Sequence, residues 1–168
     1  MHCRFRHPLF KTYPRPHRSE TSDTLIVVMS SERARAITAT GKRERDSGAL
    51  HAALKCYREA EALYRLEGTS ERLAHTIRHI ADMDREAGNI ATSEQAYRES
   101  LALYRELPDV RGLDLANALN GFATLLAQKG DAAEAVLLTC EARELYSAEG
   151  VVPGVEECTE RLARLSDE

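Results

Sequence analysis

The most informative pattern in the sequence is first seen in GALHAALKCYREAEALY, residues 48–64. A glycine is followed by small and aromatic residues at fixed spacing, namely Ala53, Tyr57, Ala60 and Tyr64. These positions are three or four residues apart, so they share one face of a helix. The stretch therefore predicts a turn at Gly48 and then a helix that presents small side chains to a neighbouring helix.

The same pattern recurs twice further along the chain. After Gly88 and Gly130, the equivalent positions are Ser93, Tyr97, Ser100 and Tyr104, and then Ala135, Thr139, Ala142 and Tyr146. The three glycines are about 40 residues apart, a period typical of helical repeat proteins. Before each glycine, an aliphatic and a small residue also recur: Ile37 and Gly41, Ile77 and Ala81, Leu119 and Ala123. Each unit is therefore predicted to be a helix, a tight turn and a second helix.

The repeat and the local helix signals predict seven helices. They are expected near 31–46, 49–67, 70–87, 90–107, 113–129, 132–149 and 154–166. Asn89 is a suitable N-cap, and residues 131–134 have the form of a capping box. Pro108 is expected to end the fourth helix, and Pro153 suits the first turn of the seventh. The seventh helix carries Val155, Cys158, Leu162 and Leu165 on one stripe, so we expect it to cap the end of the stack.

These features predict an all-α fold, an α-solenoid of three helix-turn-helix repeats with a C-terminal capping helix. A helix pair of this size cannot bury its apolar face alone, whereas three stacked pairs can. The alternative within the all-α class is a closed bundle. Packing in a closed bundle does not require small residues to recur at fixed offsets, so the repeat favours the solenoid.

The three units resemble the tetratricopeptide repeat family. That family has a small residue in the first helix, a glycine or polar residue at the turn, and alanine, an aromatic and alanine in the second helix. The matching residues are Gly41, Gly48, Ala53, Tyr57 and Ala60, then Ala81, Gly88, Ser93, Tyr97 and Ser100, then Ala123, Gly130, Ala135 and Ala142. Thr139 departs from the aromatic position.

The long period is similar to the variety of these repeats found in kinesin light chains. Residues 115–123, LANALNGFA, are close to the first-helix consensus of that variety, with Gly121 in place of a second asparagine. The resemblance implies a non-enzymatic binding scaffold. Such a scaffold presents a concave groove, lined by the first helix of each pair, to a peptide or a partner helix.

The offsets within each unit then identify the side chains expected to line this groove. They are Arg35, Thr38, Lys42 and Arg45, then His75, Arg78, His79, Asp82 and Arg85, then Asn117, Asn120, Thr124 and Ala127. Basic residues predominate, although the chain carries a net charge of −4. A basic stripe in an acidic protein attracts acidic ligands, so we expect an acidic peptide segment or its C-terminal carboxylate to bind. The alternative is that these are ordinary solvated helix charges balanced by nearby acids.

Other chemistry is weakly supported by the sequence. His75 and His79 are one turn apart and Asp82 follows, but the spacing offers no fourth metal ligand, so a solvated histidine pair is favoured over a metal site. Phosphate-binding loops and nucleophile motifs do not occur. The sequence thus predicts no enzyme activity, no cofactor and no metal. The mild charge argues against nucleic-acid binding, and no apolar run approaches the ~20 residues of a membrane span.

The N-terminal segment differs in composition from the rest of the chain. Residues 1–19 contain five basic side chains and no acid, together with three of the five prolines. We therefore expect residues 1–29 to be a disordered basic extension and residues 30–168 to form the repeat domain. The four cysteines are scattered without a C-x-x-C pair, which is typical of a reducing compartment and predicts a cytoplasmic protein. Self-association into a homodimer through the terminal helices is the alternative function.

Overall fold

The computed structural model describes residues 20–68, 70–108 and 112–166, with side chains from residue 29 onward. The regular structure in these ranges is entirely α-helical, as the sequence predicts. In chain order the helices are α1 (Glu20–Asp46), α2 (Leu50–Glu67), α3 (Ser70–Glu86), α4 (Ile90–Glu106), α5 (Gly112–Lys129), α6 (Ala132–Ala148) and α7 (Val152–Ser166).

The helix boundaries agree with the predicted ones within two residues, except at the start of α1. This helix begins at Glu20 rather than near residue 31, so its predicted start was wrong. Neither glycine nor proline occurs between residues 17 and 40, so nothing in this stretch interrupts a helix. The proposed division between residues 29 and 30 falls within α1. The disorder expected for residues 1–19 concerns a segment outside the described residues.

The helices pack as sequential antiparallel pairs, and the pairs stack in chain order. The pairs are α1 with α2, α3 with α4, and α5 with α6. Consecutive pairs meet through α2 with α3 and α4 with α5, and α7 packs on α6. Contacts between helices that are distant in sequence are few, the main one joining α3 to α5. This arrangement is the predicted α-solenoid.

Small side chains lie where the two helices of a pair approach each other. Ala53 and Ala60 in α2, and the corresponding residues in α6, are completely buried. In α4 the equivalent residues are serines, which are also buried. The hydroxyl of Ser93 donates to the backbone carbonyl of Ala81 at 2.8 Å, and that of Ser100 to the carbonyl of Ala74 at 2.9 Å. Serine therefore replaces alanine without leaving an unpaired hydroxyl in the core.

The turns between paired helices require glycine. Gly48, Gly88 and Gly130 have φ angles of 82°, 79° and 84°, in the left-handed region that side chains disfavour. The predicted capping box was wrong, because neither Asn89 nor Asp131 makes a side-chain capping bond. The amide of Asn89 instead donates to Asp84 Oδ1 at 3.1 Å, and the carboxylate of Asp131 pairs with Lys129.

The exposed surface of the second helices carries ion pairs that connect successive units. Arginines of α2 and α4 each contact a glutamate of the next second helix. The pairs are Arg65 with Glu99 at 2.7 Å, Arg98 with Glu134 at 3.0 Å and Arg105 with Glu141 at 3.1 Å. Exposed pairs of this kind contribute little stability individually. They do neutralise these three arginines.

Helix α7 covers the end of the stack, as the sequence predicts. Its inner stripe contains buried Cys158, together with Val155, Leu162 and Leu165, which pack partly buried. Its outward residues are mainly polar: Glu156, Thr159, Glu160 and Arg164. No helix in the described ranges has the length and apolar character needed to cross a bilayer.

Gly121 provides a test of the packing between α3, α4 and α5. A Cβ atom at this position would lie 2.7 Å from Tyr97 Oη and 3.0 Å from Asp82 Oδ1. Replacing a helical glycine by alanine normally favours the helix by about 1 kcal/mol, but a contact this close costs about 1–3 kcal/mol. We therefore expect Gly121→Ala to lower the free energy of unfolding, measured by urea denaturation.

The matched background is Tyr97→Leu, which removes both tyrosine atoms that the new Cβ would meet, Oη at 2.7 Å and Cε1 at 2.9 Å. In that background, Gly121→Ala should cost less than half of what it costs in the wild type. An equal cost in both backgrounds, or a more stable Gly121→Ala protein, would contradict the packing described here.

Candidate functional site

A cavity of about 780 Å³ lies between α1 and α3, with side chains of α2 in its wall. It is lined by Arg35, Thr38, Ala39, Lys42, Arg45, Asp46, Tyr57, Tyr64, Glu71, Arg72, His75, Thr76 and His79. This surface belongs to the first helices of units one and two, the face on which the sequence predicts a groove. We call it the α1–α3 cavity.

The lining of the α1–α3 cavity is mainly basic. Four side chains are cationic, namely Arg35, Lys42, Arg45 and Arg72, and two are acidic, namely Asp46 and Glu71. Among the described residues, Arg35, Lys42 and Arg72 take part in no ion pair. On the second helices, in contrast, Arg65, Arg98 and Arg105 are each paired with a glutamate. Within the described part of the chain, the cavity therefore presents more positive charge than its two acidic side chains offset.

His79 lies at the inner end of the cavity between two guanidinium groups. Its Nδ1 is 3.0 Å from Arg45 Nη1, and its Nε2 is 2.8 Å from Arg78 Nη2. Burial, reinforced by the positive charge of Arg78, His75, Arg45 and Lys42, lowers the pKa of His79 to about 2. The ring is thus neutral at ordinary pH and accepts a hydrogen bond at only one nitrogen. At the other ring nitrogen, the N–H of His79 therefore faces a guanidinium N–H, so two donors meet without an acceptor.

Asp82 is the anion that holds this cluster together. It accepts a hydrogen bond from the hydroxyl of Tyr97 at 2.6 Å and another from Arg78 Nη1 at 2.7 Å, and Arg45 Nη1 lies 3.7 Å away. Burial, with the nearby charge of Asp82, raises the pKa of Tyr97, so its hydroxyl remains protonated and acts as the donor. Asp82 therefore links the side of the cavity to the core of the second unit.

Two residues predicted to line an exposed groove are placed differently. Arg78 is buried and donates to Asp82 of the same helix, and it does not line the cavity. Arg85 is half-buried next to Tyr97 rather than in the cavity. The Nε atoms of both arginines are buried and lack a hydrogen-bond partner among the described residues. Offsets along a helix identify a face, but they do not reveal which side chains on that face are buried.

The predicted groove residues of unit three are engaged within the chain. The hydroxyl of Tyr146 donates to Asn117 Oδ1 at 2.8 Å. Arg161 of α7 donates to Asn120 Oδ1 at 2.5 Å and to Thr124 Oγ1 at 2.8 Å. Helix α7 continues the stack and lies over these side chains, so the structure does not bring them together with the residues of the α1–α3 cavity.

Arg72, which lines the cavity from α3, is not among the groove residues predicted from the sequence. Arg72 is three residues before His75, slightly less than one helical turn, so the two residues lie on the same face of α3. Extending the series of offsets by one more turn would have included it. Of the predicted residues, the cavity brings together Arg35, Thr38, Lys42, Arg45, His75 and His79.

The suggested metal-binding trio has no metal-binding geometry. The rings of His75 and His79 meet edge to face, with centroids 4.6 Å apart, and His79 Nδ1 is 3.8 Å from Asp82 Oδ2. In the described part of the chain, no group of three or more histidine, cysteine or acidic side chains is arranged to hold an ion.

Comparisons with known proteins agree with this fold. The tetratricopeptide repeat model matches residues 71–148, which comprise most of α3 and the whole of α4, α5 and α6. A solved structure, BtubC (BKLC) from P. vanneervenii, aligns with a TM-score of 0.60 and 16% identity. The alignment covers 80% of this chain and 63% of that protein, so the chain spans less than two thirds of its length. No curated protein matches the sequence.

Residues 71–148 therefore belong to the tetratricopeptide repeat family, which confirms the resemblance recognised in the sequence. The preceding pair, α1 and α2, repeats the same antiparallel arrangement. The likeness to BtubC supports the fold alone.

The lowered pKa of His79 makes the stability of the protein sensitive to acid. An unfolded histidine binds a proton below about pH 6.5, whereas buried His79 remains neutral, so the unfolded state gains protons that the folded state does not. Above pH 6.5 the histidine is neutral in both states, and burying it carries no penalty. As the pH falls below 6.5, protonation of the unfolded state lowers the free energy of unfolding. Between pH 7.5 and pH 5.0 this loss amounts to about 2 kcal/mol.

We therefore expect His79→Gln to lose about 2 kcal/mol less than the wild type between these two pH values, as measured by urea unfolding. His51→Gln is the matched control, because His51 is exposed on α2. It should retain the pH dependence of the wild type. If His79→Gln and the wild type lose stability equally, His79 is not a buried neutral group.

Proposed function

We propose that this protein is a non-catalytic interaction scaffold that binds an acidic segment of a partner protein in the α1–α3 cavity. The observation that carries the proposal is the unpaired positive charge of Arg35, Lys42 and Arg72 in a chain whose net charge is −4. A local positive potential of this kind attracts acidic ligands and raises their association rate. The family supports the coarser part of the proposal, because helical repeats present extended surfaces to other proteins.

The length of the basic surface favours a peptide segment over a single ion. On α1, Arg35 and Lys42 are two helical turns apart, and Arg45 follows one turn later. At 1.5 Å per residue, these side chains extend over about 15 Å of the helix. A peptide in extended conformation covers that distance with about four or five residues. Several acidic side chains of one segment can therefore contact the surface together.

The walls of the cavity add apolar contact to this charge. The rings of Tyr57 and His79 are 5.1 Å apart and tilted by 40°, and Tyr64 lines the same wall. Aromatic side chains of this type contribute large contact areas at little cost in conformational entropy. The cavity thus suits a segment in which apolar residues accompany the acidic ones.

Self-association through the terminal helices receives no support from α7. Its outward face carries Glu156, Thr159, Glu160 and Arg164, which provide no continuous apolar surface for a second copy. A stable dimer needs a larger apolar contact than such a face provides.

The proposal is tested by reversing the charge of two exposed cavity residues, Arg35→Glu with Arg72→Glu. The probe is a fluorescent decapeptide rich in glutamate and aspartate, and its affinity is measured by fluorescence anisotropy. We expect the double variant to bind about tenfold more weakly or worse, because repulsion replaces attraction at two positions. Neither side chain is buried, so circular dichroism should show an unchanged helix content.

The matched control makes the same change of charge elsewhere, with Lys55→Glu and Arg164→Glu. Both residues are exposed and lie outside the cavity. This control should bind the peptide with nearly the affinity of the wild type. Equal affinities for the cavity variant and the control, or failure of the wild type to prefer the acidic peptide over its glutamine and asparagine counterpart, would refute the proposal.

A further inference from the structure

The inner end of the α1–α3 cavity contains more hydrogen-bond donors than acceptors. Neutral His79 has a guanidinium nitrogen within 3.0 Å of each ring nitrogen but accepts from only one of them. In the lining, Arg35, Lys42 and Arg72 add further donors that take part in no ion pair among the described residues. Buried donors without acceptors are costly, so a ligand that supplies acceptors here is stabilised.

The charges of the surrounding residues show the same imbalance. In the lining, Arg35, Lys42, Arg45 and Arg72 face Asp46 and Glu71, which leaves an excess of two positive charges. Including the residues behind the lining does not change this excess, because Arg78 and Arg85 are offset by Asp82 and Glu86. Glu86 Oε1 accepts from Arg45 Nη2 at 2.8 Å, and Asp82 accepts from Arg78. The site is therefore matched in charge to a dianion.

We propose that the α1–α3 cavity binds a phosphomonoester group, carried on a phosphorylated serine or threonine within the acidic segment of the partner. A phosphomonoester has a charge of about −1.5 to −2 at neutral pH and three strong acceptor oxygens. A carboxylate has a single charge and two oxygens, so it satisfies fewer of the donors. The inference rests on the proposed function, because it specifies one residue of the acidic segment.

The donors available to such a group come from both sides of the cavity. Helix α1 supplies Lys42 and Arg45, and α3 supplies Arg72. The hydroxyl of Tyr64 lines the same wall, 3.4 Å from that of Thr38, which itself donates to the carbonyl of Ala34 at 2.9 Å. Guanidinium groups bind phosphate oxygens in pairs, and an ammonium group adds a point charge. Donors from two helices suit the tetrahedral arrangement of phosphate oxygens better than the plane of a carboxylate.

The experiment compares three acidic decapeptides that differ only at a central position, which is phosphoserine, glutamate or serine. We expect isothermal titration calorimetry of the full chain to give at least tenfold tighter binding of the phosphoserine peptide than of the glutamate peptide. Equal affinities for these two peptides would overturn the phosphate proposal. The proposed function would survive that result if the glutamate peptide still bound more tightly than a peptide without acidic residues.

Two variants locate the phosphate within the cavity. Arg45→Gln and Lys42→Gln should each reduce the preference for phosphoserine over glutamate to less than threefold. Lys42 is exposed, so its variant tests the site even if loss of the Arg45 contacts affects folding. Lys55→Gln, on α2, is the matched control and should keep the full preference. A preference that survives in both cavity variants would place the phosphate elsewhere and overturn the proposal.

A free phosphorylated small molecule offers the same chemistry, and competition distinguishes it from a peptide. Inorganic phosphate should displace the phosphoserine peptide only at concentrations at least a hundredfold above the dissociation constant of the peptide, because it lacks the flanking acidic residues. Displacement at concentrations close to that constant would overturn the assignment to a peptide.

Discussion

The structure depends on the small side chains that lie where the helices of each pair approach. Ala53 and Ala60 leave no room for solvent between α1 and α2, and Ser93 and Ser100 do the same between α3 and α4. Larger residues there would hold the paired helices apart, because a packed core accommodates added volume poorly. Since each unit buries its apolar face only against its neighbours, this close approach also determines how the units stack. The positions of the first helices, and of the basic side chains on them, follow from it.

The same packing shapes the candidate site. The buried ring of Tyr57 lies against Gly41, where an added Cβ atom would be 3.0 Å from it, and it also forms part of the cavity wall. In the second unit, Tyr97 donates from the core to Asp82, which in turn holds Arg78. The repeated tyrosines thus serve both the core and the cavity. A change in the core is therefore expected to change the charge arrangement that a ligand meets.

Much of this organisation is predictable from the sequence, because it is local or repeated. The spacing of Ala53, Tyr57 and Ala60 fixes a helix face, and the recurrence of that spacing fixes the stack. The remaining features depend on contacts between units, which the repeat does not encode. Offsets could not show that Arg78 is buried against Asp82 or that Arg161 of α7 contacts Asn120 and Thr124. The positions of basic residues in the sequence also do not show which arginines pair with glutamates on the second helices and which remain unpaired in the cavity.

The central claim is that an acidic partner binds the first helices of units one and two rather than another surface. Chemical-shift mapping on the ¹⁵N-labelled protein, titrated with an acidic decapeptide, tests this claim most directly. We expect the amide signals that shift to cluster in residues 35–46 of α1 and 71–79 of α3. Shifts concentrated in α5 and α7, or on the ion-paired surface of α2, α4 and α6, would contradict it.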